Sequence, residues 1–358
     1  MKKLFATFLL SLCTISLWGC KQQTPPSVEK TYPATVKGRV LTGTGDMLMA
    51  GIIITNSEGD MYRVNTSSLS GYELLLPEGT YDLIFTRGME YGFVKKTIEV
   101  ENYKTYYMDD VRLEHLYDGA SKNWYIGELH QHSTFSDGKQ SVEQVLLSNI
   151  SNGLYFGFLT DHNTSAGLAE WQQGSQFIAN YTTTYEPIHF VPLRGVEVTT
   201  DYGHFQSLGV GNVLEQADIN PLKGDIPKEE LILIAEEIKR SGALVSINHP
   251  FATSLLGFHF WEIVELYDVI EIWNGLYAPN YRENLQAKIK WFELLNAYRA
   301  GEIKFIPAMG GSDNHDISSA YKAAYANRTT QDGMYMDNYL LRGRYSGMPA
   351  TCLYIEGD

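Results

Sequence analysis

Between residues 35 and 100, apolar and polar positions alternate over short runs separated by turn residues. Runs at 35–41, 51–55, 72–76, 80–85 and 93–100 read as strands, with turns at 56–59, Pro77-Glu78-Gly79 and Arg87-Gly88. This regular spacing predicts a small antiparallel β-sandwich over residues 32–116. After Tyr117 the rhythm changes. Short apolar runs at 124–129, 155–159, 243–247, 269–273 and 304–308 alternate with helical stretches at 141–152, 228–241 and 281–300. Such alternation predicts an α/β domain over 117–358 with a mostly parallel sheet, open or closed into a barrel. In either architecture the chemistry sits at the carboxyl ends of the strands.

The first twenty residues follow neither rhythm. Lys2 and Lys3 precede an apolar stretch from Leu4 to Trp18 that is too short for a comfortable membrane span. The stretch ends in Leu17-Trp18-Gly19-Cys20, which resembles a bacterial lipobox although Trp18 replaces its usual small residue. That resemblance implies cleavage before Cys20, lipidation of Cys20, and an exported protein tethered in the periplasm or at the outer membrane. Residues 21–31 read as a polar, proline-containing linker.

Composition narrows the chemistry. A chain of 358 residues with 44% hydrophobic and 20% charged residues is long enough for two globular domains. The formal net charge of -14 leaves no basic stripe to neutralise nucleic-acid phosphates. Of the three cysteines, Cys13 and Cys20 lie in the export segment, leaving Cys352 without a partner for a disulfide or a zinc-thiolate site. Any metal must then be held by nitrogen and oxygen.

The unusual residues cluster at the predicted strand ends. His130 and His132 follow the run ending at Leu129; side chains two apart on an extended chain share a face, so both can reach one ion. Asp161-His162 follows Leu159, Glu197 lies in Arg194-Gly195-Val196-Glu197-Val198, and His204 precedes the apolar run 205–210. Asn248-His249-Pro250 follows Ile247. Asp313-Asn314-His315 follows Ala308 past Gly310-Gly311, read as a flexible step. Six of the nine histidines fall at these places. Gathering that many polar groups at one rim costs several kcal/mol unless something satisfies them, and a metal cluster does so economically.

The segment from His130 to Gly138, HQHSTFSDG, resembles the opening motif of the polymerase and histidinol phosphatase (PHP) family. Asp161-His162, Gly195-Val196-Glu197, Asn248-His249-Pro250 and Ser312-Asp313-Asn314-His315 resemble its later motifs, in the family's order. The exported subgroup related to carbaryl hydrolases is closest in flavour, from residues 195–199 and 269–275. Residues 76–83 resemble a carboxypeptidase-regulatory-like β-sandwich. The PHP resemblance implies a distorted (β/α)7 barrel carrying two or three divalent ions, zinc, manganese or iron. It assigns His130, His132, Glu197 and Asp313 to one metal. Glu197 bridges to a second, completed by His204 and His249, while Asp137, His162 and His315 hold a third.

Metal-activated hydroxide would attack a small-molecule ester, with a phosphoester expected first and a carboxylic or carbamic ester second. A non-catalytic surface-binding protein is the reading from another class. Asp161 is a candidate to orient a ligand histidine or move a proton, or else to cap a helix. Arg194 would meet a substrate anion or pair with a carboxylate. Trp273 and Asn274 are candidates to line the pocket, with core packing expected for Trp273. The final strand, at 351–355, suggests a last barrel unit that is missing or supplied unconventionally. Residues 317–347 read as a surface excursion or a flap.

Overall fold

The computed structural model describes residues 33–174, 189–209, 228–252, 256–275, 281–317 and 346–356. The expected export signal, the linker and nearly all of 317–347 lie outside the described residues. No helix among the described residues is long and apolar enough to cross a membrane.

The chain first forms β1 (Ala34–Gly38), β2 (Val40–Thr42), β3 (Gly51–Asn56), β4 (Met61–Asn65), β5 (Tyr72–Leu76), β6 (Gly79–Thr86), β7 (Val94–Val100), β8 (Thr105–Tyr107) and β9 (Val111–Leu113). They make a four-stranded sheet ordered β4-β3-β6-β7, a three-stranded sheet β5-β1-β8, and the pair β2-β9. Strand periodicity drives this: in β5, Tyr72, Leu74 and Leu76 turn inward while Glu73 and Leu75 face water. The inward set joins Val36, Ile52, Ile54, Leu83 and Phe85 in one apolar cluster. Two pairings, β1 with β8 and β2 with β9, are parallel, so the sheets are not purely antiparallel as expected. The run at 35–41 is also divided in two at Arg39, whose guanidinium takes both carboxylate oxygens of Asp110.

Beyond Tyr117 the structure is mixed α/β. Its strands are β10 (Trp124–Glu128), β11 (Phe156–Leu159), β12 (Val191–Thr200), β13 (Gly203–Leu208), β14 (Leu244–Ile247), β15 (Val269–Asn274), β16 (Ala308–Gly311) and β17 (Thr351–Tyr354). They form one sheet ordered β16-β15-β14-β13-β12-β11-β10-β17. The sheet nearly closes. Thr351 Oγ1 accepts a hydrogen bond from the Gly310 amide at 2.9 Å and donates to the Gly310 carbonyl at 2.8 Å, so one side chain links β17 to β16. Strand β17 runs antiparallel to β10, which spans the seam in a way that a β/α unit would not.

Two sequence expectations shift here. Strand β16 comprises residues 308–311, not 304–308, because Ile270 to Asn274 of β15 pair with Ala308 to Gly311. Gly310 and Gly311 are thus buried strand residues rather than a flexible step. Strands β12, β13 and β14 pair antiparallel in succession, which interrupts the expected β/α alternation.

Helices α1 (Val142–Ser151), α2 (Leu168–Gln172), α3 (Lys228–Arg240) and α4 (Tyr281–Ala300) accompany the sheet. A capping box starts α1: Ser141 Oγ accepts from the Gln144 amide, and Gln144 Oε1 accepts from the Ser141 amide. Helix α3 carries Glu229 and Glu230 in its first turn and Lys239 and Arg240 in its last, each complementing the helix dipole. Its buried stripe, Leu231, Ala235 and Ile238, joins Val245, Ile247 and Ile270 in the main core. The two architectures meet where Arg63 of β4 donates to Asn152 Oδ1 at 2.8 Å, just past α1.

Asp268, ahead of β15, ties three elements. It accepts from Lys239 Nζ at the end of α3, from Lys304 Nζ before β16, and from the Val245 amide of β14. Burial raises its pKa, yet these donors prevail and hold it below the ordinary value. A depressed carboxylate pKa adds stability above the unfolded value of about 3.9, which is lost as pH falls through the folded value. The site is partly exposed, so Asp268→Asn is expected to cost about 1 kcal/mol in urea unfolding at pH 7. The gap from wild type should close towards pH 2; a constant gap would refute the ionic origin.

Candidate metal centre

The site is built on two short backbone ladders at the rim of the sheet. Gln131 and Asn314 form a parallel bridge, in which the His132 amide donates to the Asn314 carbonyl and the Asp313 amide to the His130 carbonyl. His162 and Glu197 form another, with the Asn163 amide donating to the Glu197 carbonyl. Around the site His249, at φ 22°, Asp313, at 47°, and Asn163, at 49°, adopt left-handed backbone. Each such conformation costs on the order of 1–3 kcal/mol and persists only where its surroundings enforce it.

Glu197 is the centre of the arrangement. Its Oε1 lies 3.2 Å from His130 Nε2, 3.3 Å from His204 Nδ1 and 3.2 Å from His249 Nε2. Its Oε2 lies 2.9 Å from His162 Nδ1 and 3.4 Å from His132 Nε2. Five imidazoles therefore surround one fully buried carboxylate. Asp313 Oδ1 is 3.3 Å from His130 Nε2 and 3.1 Å from His132 Nε2. At the outer edge, Asp137 Oδ1 meets His315 Nε2 at 3.1 Å and His162 Nε2 at 3.5 Å. All nine residues expected as ligands from the sequence are brought together.

His204 arrives by a different route from the one its sequence suggests. It lies near the start of β13, paired with Thr199 near the end of β12. Because the two strands are antiparallel, the beginning of one and the end of the other share a rim.

The charges explain the protonation pattern. Burial disfavours a charged His130, but the carboxylates of Glu197, Asp313 and Glu271 override it and raise its pKa well above the usual value. His162, His249 and His315 are raised in the same way against burial. His132 differs: burial dominates and lowers its pKa to about 4. Burial opposes ionisation of Glu197 and Asp313, yet the surrounding imidazoles hold both well below the carboxylate range. Asp137, against the same opposition, is lowered to about 2, chiefly by His315.

A divalent cation fits this donor set. His130 Nε2 and Glu197 Oε2 face the cluster as buried atoms that make no hydrogen bond, while His132 Nδ1, His204 Nε2 and His249 Nδ1 are buried without one on the ring edges opposite Glu197. Leaving such atoms unsatisfied costs roughly 1–3 kcal/mol each. Among the described residues, three groups place their candidate ligand atoms within 4.8 Å of one another: His130, His132, Glu197 and Asp313; His162, Glu197 and His204; and His132, Asp137, His162 and His315. The first matches the set expected from the sequence. In the second, His162 stands where His249 was expected, and the third adds His132 to the expected three.

The other two candidates, Asp161 and Arg194, stand outside these three groups. Asp161 accepts from the Ser133 amide, Ser133 Oγ and Ser136 Oγ, each at 2.7 Å. It braces the loop leading to Asp137 and orients no histidine through these contacts. Arg194 is three residues from Glu197 along β12, which places it on the opposite face of the strand. Asn274, expected to line a pocket, donates to Glu271 Oε2 at 3.1 Å and Asp313 Oδ2 at 3.2 Å.

Sequence reading missed Glu271, Asn248 and Glu128. Asn248 Nδ2 donates to Glu197 Oε1 at 2.7 Å, and its own Oδ1 accepts from Ser246 Oγ. Glu128, its pKa raised by burial to about 7, accepts the amides of His130, Ser312 and Gly347. A signal for Glu271 exists: it is a single acid inside the apolar run Val269-Ile270-Glu271-Ile272-Trp273.

No protein-family model and no curated protein matches the chain. Among solved structures it is similar to a two-domain protein of Bacteroides vulgatus described as containing a predicted PHP-like metal-dependent phosphoesterase. That pair shares 22% identity and a TM-score of 0.36, over 54% of this chain and 52% of the other. This chain thus spans about half the length of that protein. It is also similar to an amidohydrolase of Chromobacterium violaceum, at 18% identity and a TM-score of 0.36, over 53% and 87% of the two chains. A candidate metal-dependent phosphoesterase of Bifidobacterium adolescentis shares 14% identity and a TM-score of 0.38, over 53% and 87%. At these values the functional assignment rests on the side-chain geometry alone.

Proposed function

We propose that the chain is a metal-dependent hydrolase of ester bonds, with phosphoesters the first substrate class. The observation that carries this reading is Glu197, a buried carboxylate meeting five histidines, with its own Oε2 and the facing His130 Nε2 buried without a hydrogen bond. His130, His132, Glu197 and Asp313 would hold one divalent ion. His162 and His204, with His249 close by, would share Glu197 around a second, and Asp137, His162 and His315 would take a third. Such ions lower the pKa of water and neutralise charge developing on a phosphoryl or carbonyl oxygen.

The chain's own residues prepare this chemistry. Asn248 fixes the Glu197 carboxylate from Oε1, and Asp161 holds the loop that carries Asp137. A cluster of two or three cations inside a protein of net charge -14 would supply the local positive field that an anionic phosphoester needs.

A carboxylic or carbamic aryl ester is the second reading. It is favoured by the aromatic group Tyr202, His259 and Phe260 beside the β12–β13 turn, where the Tyr202 and Phe260 rings lie 5.5 Å apart. Parallel assays with an aryl phosphate, a phosphodiester and an aryl ester separate the two. Phosphate turnover is expected, activated by manganese or zinc and abolished in a His130→Ala/His132→Ala variant. Turnover of the aryl ester alone would overturn the phosphoesterase reading. Purified protein that binds no transition metal would overturn the hydrolase reading altogether.

A further inference from the structure

We infer that Glu271 and Asn274 form a positioning clamp that sets which nitrogen of His130 faces the ion and locks three ligand-bearing segments together; this rests on the metal-centre reading above. Glu271 is fully buried in β15, and both of its oxygens are engaged. Oε1 lies 3.1 Å from His130 Nδ1, while Oε2 accepts the His249 amide at 2.7 Å and Asn274 Nδ2 at 3.1 Å. A carboxylate only accepts, so the proton between Glu271 and His130 belongs to Nδ1. That leaves the Nε2 lone pair of His130 turned towards Glu197 and Asp313, where an ion would lie.

The same carboxylate acts on the other segments. Its bond to the His249 amide supports that residue's left-handed backbone at φ 22°. Asn274 extends its reach: Nδ2 also donates to Asp313 Oδ2, leaving Oδ1 turned to His130 and His132. Asn274 is itself held from α4, whose Asn284 accepts from the Asn274 amide at 2.9 Å and donates to its carbonyl at 3.0 Å. The β15 register shifts between Glu271 and Trp273. Along a regular strand residues 271 and 274 would face opposite sides, and the irregularity lets both reach the same ligands.

Glutamine at 271 has the same shape but cannot accept at both ends. If its oxygen faces His130, its NH2 opposes the His249 amide. If its NH2 faces His130, the imidazole must take the other tautomer and present Nε2–H to the ion. Either arrangement breaks the clamp. Such outer partners typically govern metal affinity by roughly 10- to 100-fold.

The test compares wild type, Glu271→Gln and Asn274→Ala loaded with cobalt(II) as a probe. Affinity is read by chelator competition, and ligand geometry by the visible absorption of the bound cobalt. In the proteins loaded with diamagnetic zinc, nitrogen-edited NMR of the His130 ring reads which nitrogen keeps its proton, and thermal unfolding reads stability. Glu271→Gln is expected to weaken cobalt binding about 10- to 100-fold, alter the cobalt spectrum, and shift or abolish the His130 Nδ1–H signal. Asn274→Ala should weaken binding less and leave that signal in place. Wild-type affinity and spectrum in Glu271→Gln would overturn the clamp while leaving the metal centre intact. So would a proton on Nε2 of His130 in the zinc-loaded wild type. Failure of the wild type to bind cobalt would instead remove the metal-centre reading and the clamp with it.

Discussion

Glu197→Gln should reduce hydrolysis about 10²- to 10³-fold and abolish stable loading of the central ion. The substitution keeps side-chain volume and removes one charge, so the effect is electrostatic. Removing one partner from a buried ionic cluster typically costs about 3–5 kcal/mol, and each 1.36 kcal/mol is about tenfold in rate. The protein without metal supplies a second readout. His130, His162 and His249 are disfavoured as cations by burial and owe their raised pKa values largely to Glu197. In the variant these imidazoles should lose protons at lower pH, which histidine NMR titration would detect. Unchanged titration together with unchanged turnover would dismiss Glu197 as the organising carboxylate.

Gly311→Ala should damage the site almost as severely without touching any charge. A Cβ at residue 311 would stand 2.4 Å from His130 Cβ and 2.8 Å from Glu271 Oε1. Neither can retreat easily: His130 is fully buried and Glu271 is held through both oxygens. Overpacking of this kind costs about 1–3 kcal/mol. The displaced His130 ring should weaken metal binding by a further factor of roughly 10–100, as expected when a ligand loses its orientation. Gly43→Ala is the matched control, since that exposed glycine has nothing within 4 Å of the added methyl. It should stay within about 0.5 kcal/mol of wild type in stability and leave metal affinity unchanged. If calorimetry and metal titration found the two variants alike, close packing at residue 311 would not be what sets the site.

The candidate ligand positions were legible because metal chemistry restricts residue type and strand geometry restricts spacing. The His130/His132 and Asp313/His315 pairs each put side chains two residues apart, and the structure sets the two segments side by side in one ladder. The β16 register was harder to read. Glycines carry no hydrophobic signal, so Gly310 and Gly311 resembled a hinge, although β15 pairs with them directly. Arg194 and Asp161 attracted attention as charged residues beside ligands. Adjacency in sequence says little about direction: Arg194 falls on the opposite face of β12, and Asp161 turns to the serines of the neighbouring loop.

The sequence alone determined the α/β character after Tyr117 and the identity of nine candidate ligands. Each of these follows from local periodicity or residue chemistry. Tertiary structure alone decided how those side chains are grouped, since that depends on distances between separate strands. It made Glu197 the hub of five histidines, brought His204 to the rim through an antiparallel pair, and joined β17 to both β10 and the edge of β16. It also gave Glu271 and Asn274 their place behind His130, His249 and Asp313. Hydrogen bonds between residues as far apart in sequence as His130 and Glu271 leave no periodic trace, and only the folded chain brings them together.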